Sequence, residues 1–144
     1  MAAEDLPPPD QDGFHESTSS GRIIYRAMRE EAAGAPMVGP SARMLGVRPT
    51  VDIPVFAGQV QPNTGGMSVA LDRPENLHRL RRPPAYGGTG KDPVWYLGIA
   101  SLGSDLQFRP DSATHGLIEP ARVMSIDDFQ KALEATKLLW RRLP

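Results

Sequence analysis

Residues 94–120 read VWYLGIASLGSDLQFRPDSATHGLIEP and contain the clearest strand signals of the chain. The first seven of them, 94–100, are rich in aromatic and β-branched residues, which are typical of strands. After a Gly-Ser turn, Leu106 and Phe108 alternate with polar residues, a pattern that predicts a half-buried strand. Residues 114–119 fit a third strand. The stretch therefore predicts a three-stranded antiparallel meander.

Weaker strand signals precede this meander. Residues 22–27, RIIYRA, and 67–71, MSVAL, are short runs of strand-forming residues. Residues 53–60, IPVFAGQV, fit an edge strand because proline stands near its start. Between these runs, residues 28–33 fit a short turn of helix. The chain thus alternates brief strands with long connections.

The chain closes with the pattern of an amphipathic helix. Ser125 is a good N-cap, and acidic residues follow it in the first turn, near the positive end of the helix dipole. An apolar stripe repeats at helical spacing through Phe129, Leu133, Thr136 and Trp140. The fold class predicted is α+β: a small twisted antiparallel β core with a few helices, of which this C-terminal one is the clearest.

Proline and glycine are unusually common, with 15 and 14 of the 144 residues. Both residues break helix interiors, so a helical bundle is excluded. Residues 1–20 hold three consecutive prolines, acids and hydroxyls with no apolar period, which predicts a disordered tail. Residues 21–144 are then long enough for one domain with a modest core.

Charge and cysteine content narrow the function classes. The chain carries 16 basic and 17 acidic residues, which argues against a general electrostatic grip on nucleic acid. Cysteine is absent, so disulfides, thiolate nucleophiles and cysteine-bound zinc are excluded. There is no apolar run long enough for a membrane span and no secretory signal pattern, so we expect no membrane partner.

The segment Asn63-Thr64-Gly65-Gly66-Met67-Ser68-Val69 combines two glycines with hydroxyl and amide groups. Such a loop can present N–H groups and hydroxyls to a phosphate or a ribose, but it lacks the lysine and spacing of a P-loop. A plain turn is the alternative interpretation.

Three further side chains are candidates for chemistry. Arg26, next to Tyr25 on the first strand, either points to solvent or grips an oxyanion with its planar fork. His115 and Glu119 lie four apart, so a strand places both on one face. They are interpreted either as proton-transfer and ribose-binding groups or as solvent-facing residues. Residues 78–84, HRLRRPP, form a basic loop that is either solvated or meets an acidic partner.

Taken together, these signals resemble the ADP-ribosyltransferase fold of NAD-handling toxins. The order is a Tyr-Arg pair on a first strand, a Gly-Gly-x-Ser loop opening a middle strand, and a late strand ending in Glu. A closer resemblance is to the exported effector two toxins of type VI secretion. It rests on residues 24–27 (IYRA), 62–69 (PNTGGMSV) and 114–120 (THGLIEP), and covers about residues 22–142.

The resemblance implies roles for particular residues. Arg26, with Tyr25, would contact the NAD pyrophosphate, while Thr64, Gly65 and Gly66 would line the cofactor cleft. The catalytic set implied is Ser68, His115 and Glu119. For Glu119 two roles stay open, the catalytic acid or a cap on its strand. No metal is implied.

The function expected from the resemblance is a toxin domain that binds NAD and transfers ADP-ribose to a cellular target, causing growth arrest. The acceptor is unknown, and a cell making the toxin would need an immunity or antitoxin protein. Action in the cytoplasm, or delivery by type VI secretion, fits the missing signal pattern. Two alternatives are an NADase in which Glu30 or Glu31 is essential, and a non-enzymatic scaffold that blocks a cellular partner.

Overall fold

A six-stranded antiparallel sheet is the centre of the computed structural model, which describes residues 21–144. The predicted tail, residues 1–20, lies outside the described residues. The strands are β1 (Ile23–Ala27), β2 (Gln59–Val60), β3 (Met67–Leu71), β4 (Val94–Gly98), β5 (Leu106–Pro110), β6 (His115–Pro120), β7 (Met124–Ser125) and β8 (Arg141–Arg142), and the α-helix is α1 (Ile126–Glu134). The strand order in the sheet is β5-β6-β3-β1-β4-β8, and β2 and β7 form a separate pair.

One face of the sheet carries the core. Alternating side chains of the inner strands are buried there, because successive residues of a strand point to opposite faces. Helix α1 contributes Phe129 and Leu133, both fully buried, to the same cluster. The strand residues in this cluster include Ile24, Met67, Val69, Leu71, Trp95, Leu97, Leu106 and Ile118.

The meander prediction is correct for two of its three strands. β5 and β6 form an antiparallel hairpin with Phe108 opposite Ile118. The prediction that β4 joins them is wrong, because β4 pairs with β1 on one side and β8 on the other. A 3₁₀ turn over Ile99–Ser101 follows β4, and β3 and β1 lie between the hairpin and β4. Between β1 and β8, the apolar residues Val94, Trp95 and Leu97 of β4 are buried.

The helical turn predicted over 28–33 is also wrong. This segment is irregular, and its backbone groups bond to distant partners instead of to one another. The Arg29 amide donates to the Arg43 carbonyl at 2.8 Å, and the Met37 amide donates to the Arg29 carbonyl at 2.7 Å. In a helix over 28–33 the Arg29 carbonyl would accept from the amide of residue 33, but here it accepts from Met37 instead, so tertiary pairing overrides the local helix preference.

The edge strand predicted over 53–60 shrinks to two residues, β2, which pairs with β7 away from the main sheet. A tight turn interrupts it, with reciprocal backbone bonds of 2.9 Å between Phe56 and Gln59. Ala57 and Gly58 in this turn have positive φ angles of 52° and 76°. An extended strand cannot continue through that conformation.

The C-terminal helix begins where predicted and ends earlier. The Ser125 hydroxyl accepts a hydrogen bond of 3.0 Å from the Asp128 amide, which confirms the N-cap. α1 ends at Glu134, yet Thr136 and Trp140, the last two residues of the predicted apolar stripe, are both buried. The Trp140 indole donates a hydrogen bond of 3.0 Å to the Thr136 hydroxyl. Within residues 21–144, no helix is both long and apolar enough to cross a membrane. The fold is thus α+β, with a mostly antiparallel sheet and one α-helix.

Candidate functional site

A cleft of about 250 Å³ opens where β1 and β3 meet the segment between β1 and β2 and the segment between β3 and β4. Its charged side chains are three arginines and one aspartate, with two histidines beside them. The residues that line it are Arg26, Ala27, Ala42, Arg48, Asp52, Ser68, Val69, Ala70, Asn76, Leu77, His78, Arg81 and His115. This excess of positive charge makes the cleft suited to an anion.

Arg26, which lines this cleft, is only 7% exposed. Its guanidinium donates to the Ser68 carbonyl at 2.7 Å and to the Met44 carbonyl at 2.9 and 3.1 Å, with a longer bond of 3.3 Å to Ser41. Burial lowers the pKa of Arg26 to about 10, and the nearby Asp52 charge offsets this only in part. Within the described residues these partners are carbonyls and not carboxylates, so the charge is solvated by dipoles.

The segment between β1 and β2 adds a second arginine with its own carboxylate. Arg48 forms a two-pronged ion pair with Asp52, with distances of 3.1 and 2.8 Å. The Asp52 carboxylate also accepts from the Arg48 amide at 2.7 Å. Partial burial alone would raise the pKa of Asp52, but the bonds from Arg48 outweigh it and hold that pKa below its usual value. Asp52 is the carboxylate among the described residues lining the cleft.

Ser68, His115 and Asp111 form a continuous hydrogen-bonded chain at the rim of the cleft. The Ser68 hydroxyl lies 2.5 Å from Nε2 of His115, and Nδ1 of the same ring lies 2.8 Å from Asp111 Oδ1. The β3–β6 register places this serine and histidine on neighbouring strands, because Ala70 stands opposite His115 and Ser68 opposite Leu117. Asp111 follows the end of β5, and its amide donates to the His115 carbonyl at 3.1 Å. The hairpin turn thus brings the carboxylate beside the ring.

Glu119 lies outside the cleft lining and is completely buried. Its carboxylate accepts from Arg109 Nε at 2.9 Å, from the Gln107 amide at 2.7 Å and from the Asn63 backbone amide at 3.0 Å. This carboxylate therefore ties the hairpin to the loop before β3. The strand-capping alternative describes this environment better than a ribose contact does.

The glycine pair in the loop before β3 is required by close packing. A Cβ on Gly65 would meet the Asp52 carbonyl oxygen at 2.5 Å, and a Cβ on Gly66 would overlap the Ile118 carbonyl oxygen. The Thr64 hydroxyl donates to the Gln61 carbonyl at 2.7 Å, closing a local turn. These three residues do not line the cleft. The plain-turn interpretation accounts for them.

The structure brings together three of the residues singled out in the sequence, Arg26, Ser68 and His115, around one cleft. Tyr25 lies outside the lining and packs against Tyr96, with 6.3 Å between ring centroids. The two acids of the NADase alternative are ion-paired elsewhere. Glu30 lies 2.6 Å from Arg142, and Glu31 lies 2.7 Å from Lys137.

Sequence reasoning missed the residues that loops bring to the cleft, namely Arg48, Asp52, Asn76, His78, Arg81 and, behind His115, Asp111. The basic loop 78–84 was noticed, but nothing in its composition directs it toward β1. One usable signal was present for Asp111, because Pro-Asp-Ser favours a turn and places this residue four positions before the histidine.

Comparisons with known proteins add no relative. No protein-family model matches the chain, and no curated protein or solved structure matches it either. Among residues 21–144, no group of three or more His, Asp or Glu side chains is placed to hold a metal ion.

Proposed function

We propose that this chain is an NAD-dependent toxin domain that holds the NAD pyrophosphate in the cleft at Arg26 and transfers ADP-ribose to a cellular acceptor. The proposal joins the resemblance to ADP-ribosyltransferase-like effectors of type VI secretion with the charge of the cleft. The observation that carries it is Arg26, a buried cation whose described partners are carbonyl groups.

A buried charge without an opposite charge is costly, and a bound anion relieves that cost. All three guanidinium nitrogens of Arg26 already donate to the Ser68, Met44 and Ser41 carbonyls, so its orientation is fixed and little rotamer entropy is lost on binding. Arg26 therefore acts on the anion mainly through its buried positive charge. Arg48 and Arg81 line the same cleft and extend the positive surface. A pyrophosphate such as that of NAD carries two negative charges, so it can use more than one of these arginines, whereas a single carboxylate carries one charge.

Transfer breaks the bond between the nicotinamide nitrogen and the ribose carbon, and positive charge develops on that carbon in the transition state. A carboxylate in the cleft stabilises such a charge. Asp52 supplies it in this proposal, in place of Glu119, because Glu119 is fully buried against Arg109. Arg48 keeps Asp52 ionised and oriented.

The direct test is incubation of the purified chain with NAD labelled in the adenylate part and a cell lysate, with NAD binding measured separately by calorimetry. Arg81→Ala should weaken NAD binding by about tenfold or more, because a charged hydrogen bond contributes about 1.5–3 kcal/mol. Arg79→Ala is the matched control, since this exposed arginine lies in the same loop and does not line the cleft. Equal loss in both variants would refute a specific site.

The outcome of labelling also separates the alternatives. Transfer of label to a macromolecule supports the transferase. Loss of NAD with no labelled macromolecule supports an NADase using the same cleft. Neither transfer nor NAD loss, in a chain that arrests growth, supports a non-enzymatic scaffold and overturns the proposal. For a toxin acting in the cytoplasm, an immunity or antitoxin protein is the partner that we propose, and co-expression should restore growth.

A further inference from the structure

The hydrogen-bonded chain of Ser68, His115 and Asp111 at the rim of the cleft has a geometry that suits a reaction other than glycosyl transfer. We infer that Asp111, His115 and Ser68 form a nucleophile relay that gives the chain esterase activity toward small esters carrying an anionic group. The inference goes beyond ADP-ribose transfer and does not depend on NAD binding.

The order of contacts carries the inference. A serine hydroxyl is a weak nucleophile until an adjacent base accepts its proton, and the base must itself be oriented. His115 meets Ser68 through Nε2 and Asp111 through Nδ1, so one ring nitrogen faces each partner. When Nδ1 donates its proton to Asp111, Nε2 is left as the acceptor for the Ser68 hydroxyl. Such relays are recognised by this geometry of roles and not by chain order.

The surroundings of Ser68 fit a reactive group. The residue is exposed, although it lies on β3 between buried neighbours. Its own carbonyl is fixed by Arg26 at 2.7 Å, which holds the backbone beside the hydroxyl in place.

The class of substrate follows from the charges beside the nucleophile. Ser68 opens into the same cleft as Arg48 and Arg81, which favours substrates with a carboxylate or phosphate group near the reacting carbonyl. The cleft of about 250 Å³ suits a small molecule.

The reaction balances without any external oxidant or reductant. The Ser68 oxygen attacks the ester carbonyl carbon, and its proton passes to Nε2 of His115. The alcohol leaves with that proton, and an acyl group remains on the serine. Water then attacks the acyl group, again losing its proton to His115, and the acid departs as Ser68 recovers its proton. One ester and one water yield one acid and one alcohol.

The first experiment is labelling of the full chain with a fluorescent fluorophosphonate, followed by mapping of the labelled peptide by mass spectrometry. We expect label on Ser68 and none in Ser68→Ala or His115→Ala. Ser104→Ala is the control, because this exposed serine lies in the turn before β5. Circular dichroism checks that each variant is folded. A folded wild-type chain without label, or label that persists in His115→Ala, overturns the inference.

A second experiment tests substrate class and the positioning role of Asp111. Hydrolysis of mono-p-nitrophenyl adipate should exceed that of the neutral hexanoate ester of equal length, and Arg81→Ala should remove the preference. Asp111→Asn should lower kcat at least about tenfold with KM unchanged, since it alters how the base is held and not how the ester binds. An increase in KM alone would assign Asp111 a merely local role and overturn the relay. Because NAD is absent from both experiments, their failure and the failure of NAD transfer are separate results.

Discussion

The buried carboxylate of Glu119 allows the sharpest separation of a structural role from a catalytic one. Glu119→Ala removes the acceptor for Arg109, Gln107 and the Asn63 amide at once. Breaking a buried ion pair by deleting one partner costs about 3–5 kcal/mol. The Arg109 side chain is 34% exposed and keeps part of its hydration, so we expect the lower end, about 3 kcal/mol.

Glu119→Gln keeps the volume and can keep all three contacts if the amide of Gln107 rotates to present its oxygen. Only the charge is lost, and charged hydrogen bonds exceed neutral ones by about 1 kcal/mol. Urea unfolding followed by tryptophan fluorescence measures both variants, since Trp95 and Trp140 are buried. With a slope of about 1.5 kcal/mol per molar, the midpoint falls by about 2 M for the alanine variant and under about 1 M for the glutamine variant.

NAD cleavage is measured on the same samples. Glu119→Gln should retain cleavage to within a few-fold, because the carboxylate does not line the cleft. If Glu119→Gln unfolds like the wild type and yet loses NAD cleavage by about 100-fold or more, a purely structural role for Glu119 is refuted. That result would mean that Glu119 contacts the ribose in a rearranged cleft.

Three further predictions concern stability. Gly66→Ala should lower Tm by several degrees, because a Cβ at this position overlaps a carbonyl oxygen. Gly98→Ala is the control and should change Tm little, because no atom lies within 4 Å of its Cβ. Equal shifts in the two variants would contradict this prediction. Ser125→Ala should cost about 1 kcal/mol in urea unfolding by removing the N-cap bond, and an unchanged midpoint would contradict it. The hydrogen bonds from Arg43 lower the pKa of Asp92 below its ordinary value. The resulting stability is complete above the unfolded pKa of about 3.9 and is lost as pH falls through the lower, folded value. Asp92→Asn should therefore lower Tm at pH 7, and the difference from the wild type should shrink steadily below a pH of about 3.9, as differential scanning calorimetry can measure; a constant difference would contradict this.

Local sequence signals predicted the elements whose pairing is also local. The alternation through Leu106 and Phe108 predicted one strand of a hairpin, and a turn of four residues, 111–114, closes it. The cap at Ser125 predicted the start of α1 for the same reason, since its partner lies three residues away. The position of β4 could not be predicted in this way, because its neighbour β1 lies some 70 residues earlier and many pairings bury its apolar residues equally well.

The cleft shows the same division. Arg26, Ser68 and His115 lie on strands, where the sequence indicates position and face, and all three were predicted as site residues. Arg48 and Arg81 reach the cleft from irregular segments, whose path depends on tertiary contacts and not on periodicity. Glu119 shows the limit of spacing as a guide to environment. Its spacing from His115 is that of one strand face, but spacing carries no information about the loop and the arginine that cover it.

The segments that build the cleft span residues 26 to 115, and this has a thermodynamic consequence. No partly folded form that lacks β3 or β6 possesses the binding site, so ligand affinity belongs to the native state alone. Occupancy and global folding are therefore linked equilibria: a ligand at 100 times its dissociation constant adds about 2.7 kcal/mol to the free energy of unfolding. For a domain of this size that is a rise in melting temperature of roughly 5–15 °C. Thermal-shift measurements can therefore compare nucleotides and anionic esters by how far each raises the melting temperature. The unfolded chain has no binding site, and so no binding activity, until the sheet has assembled.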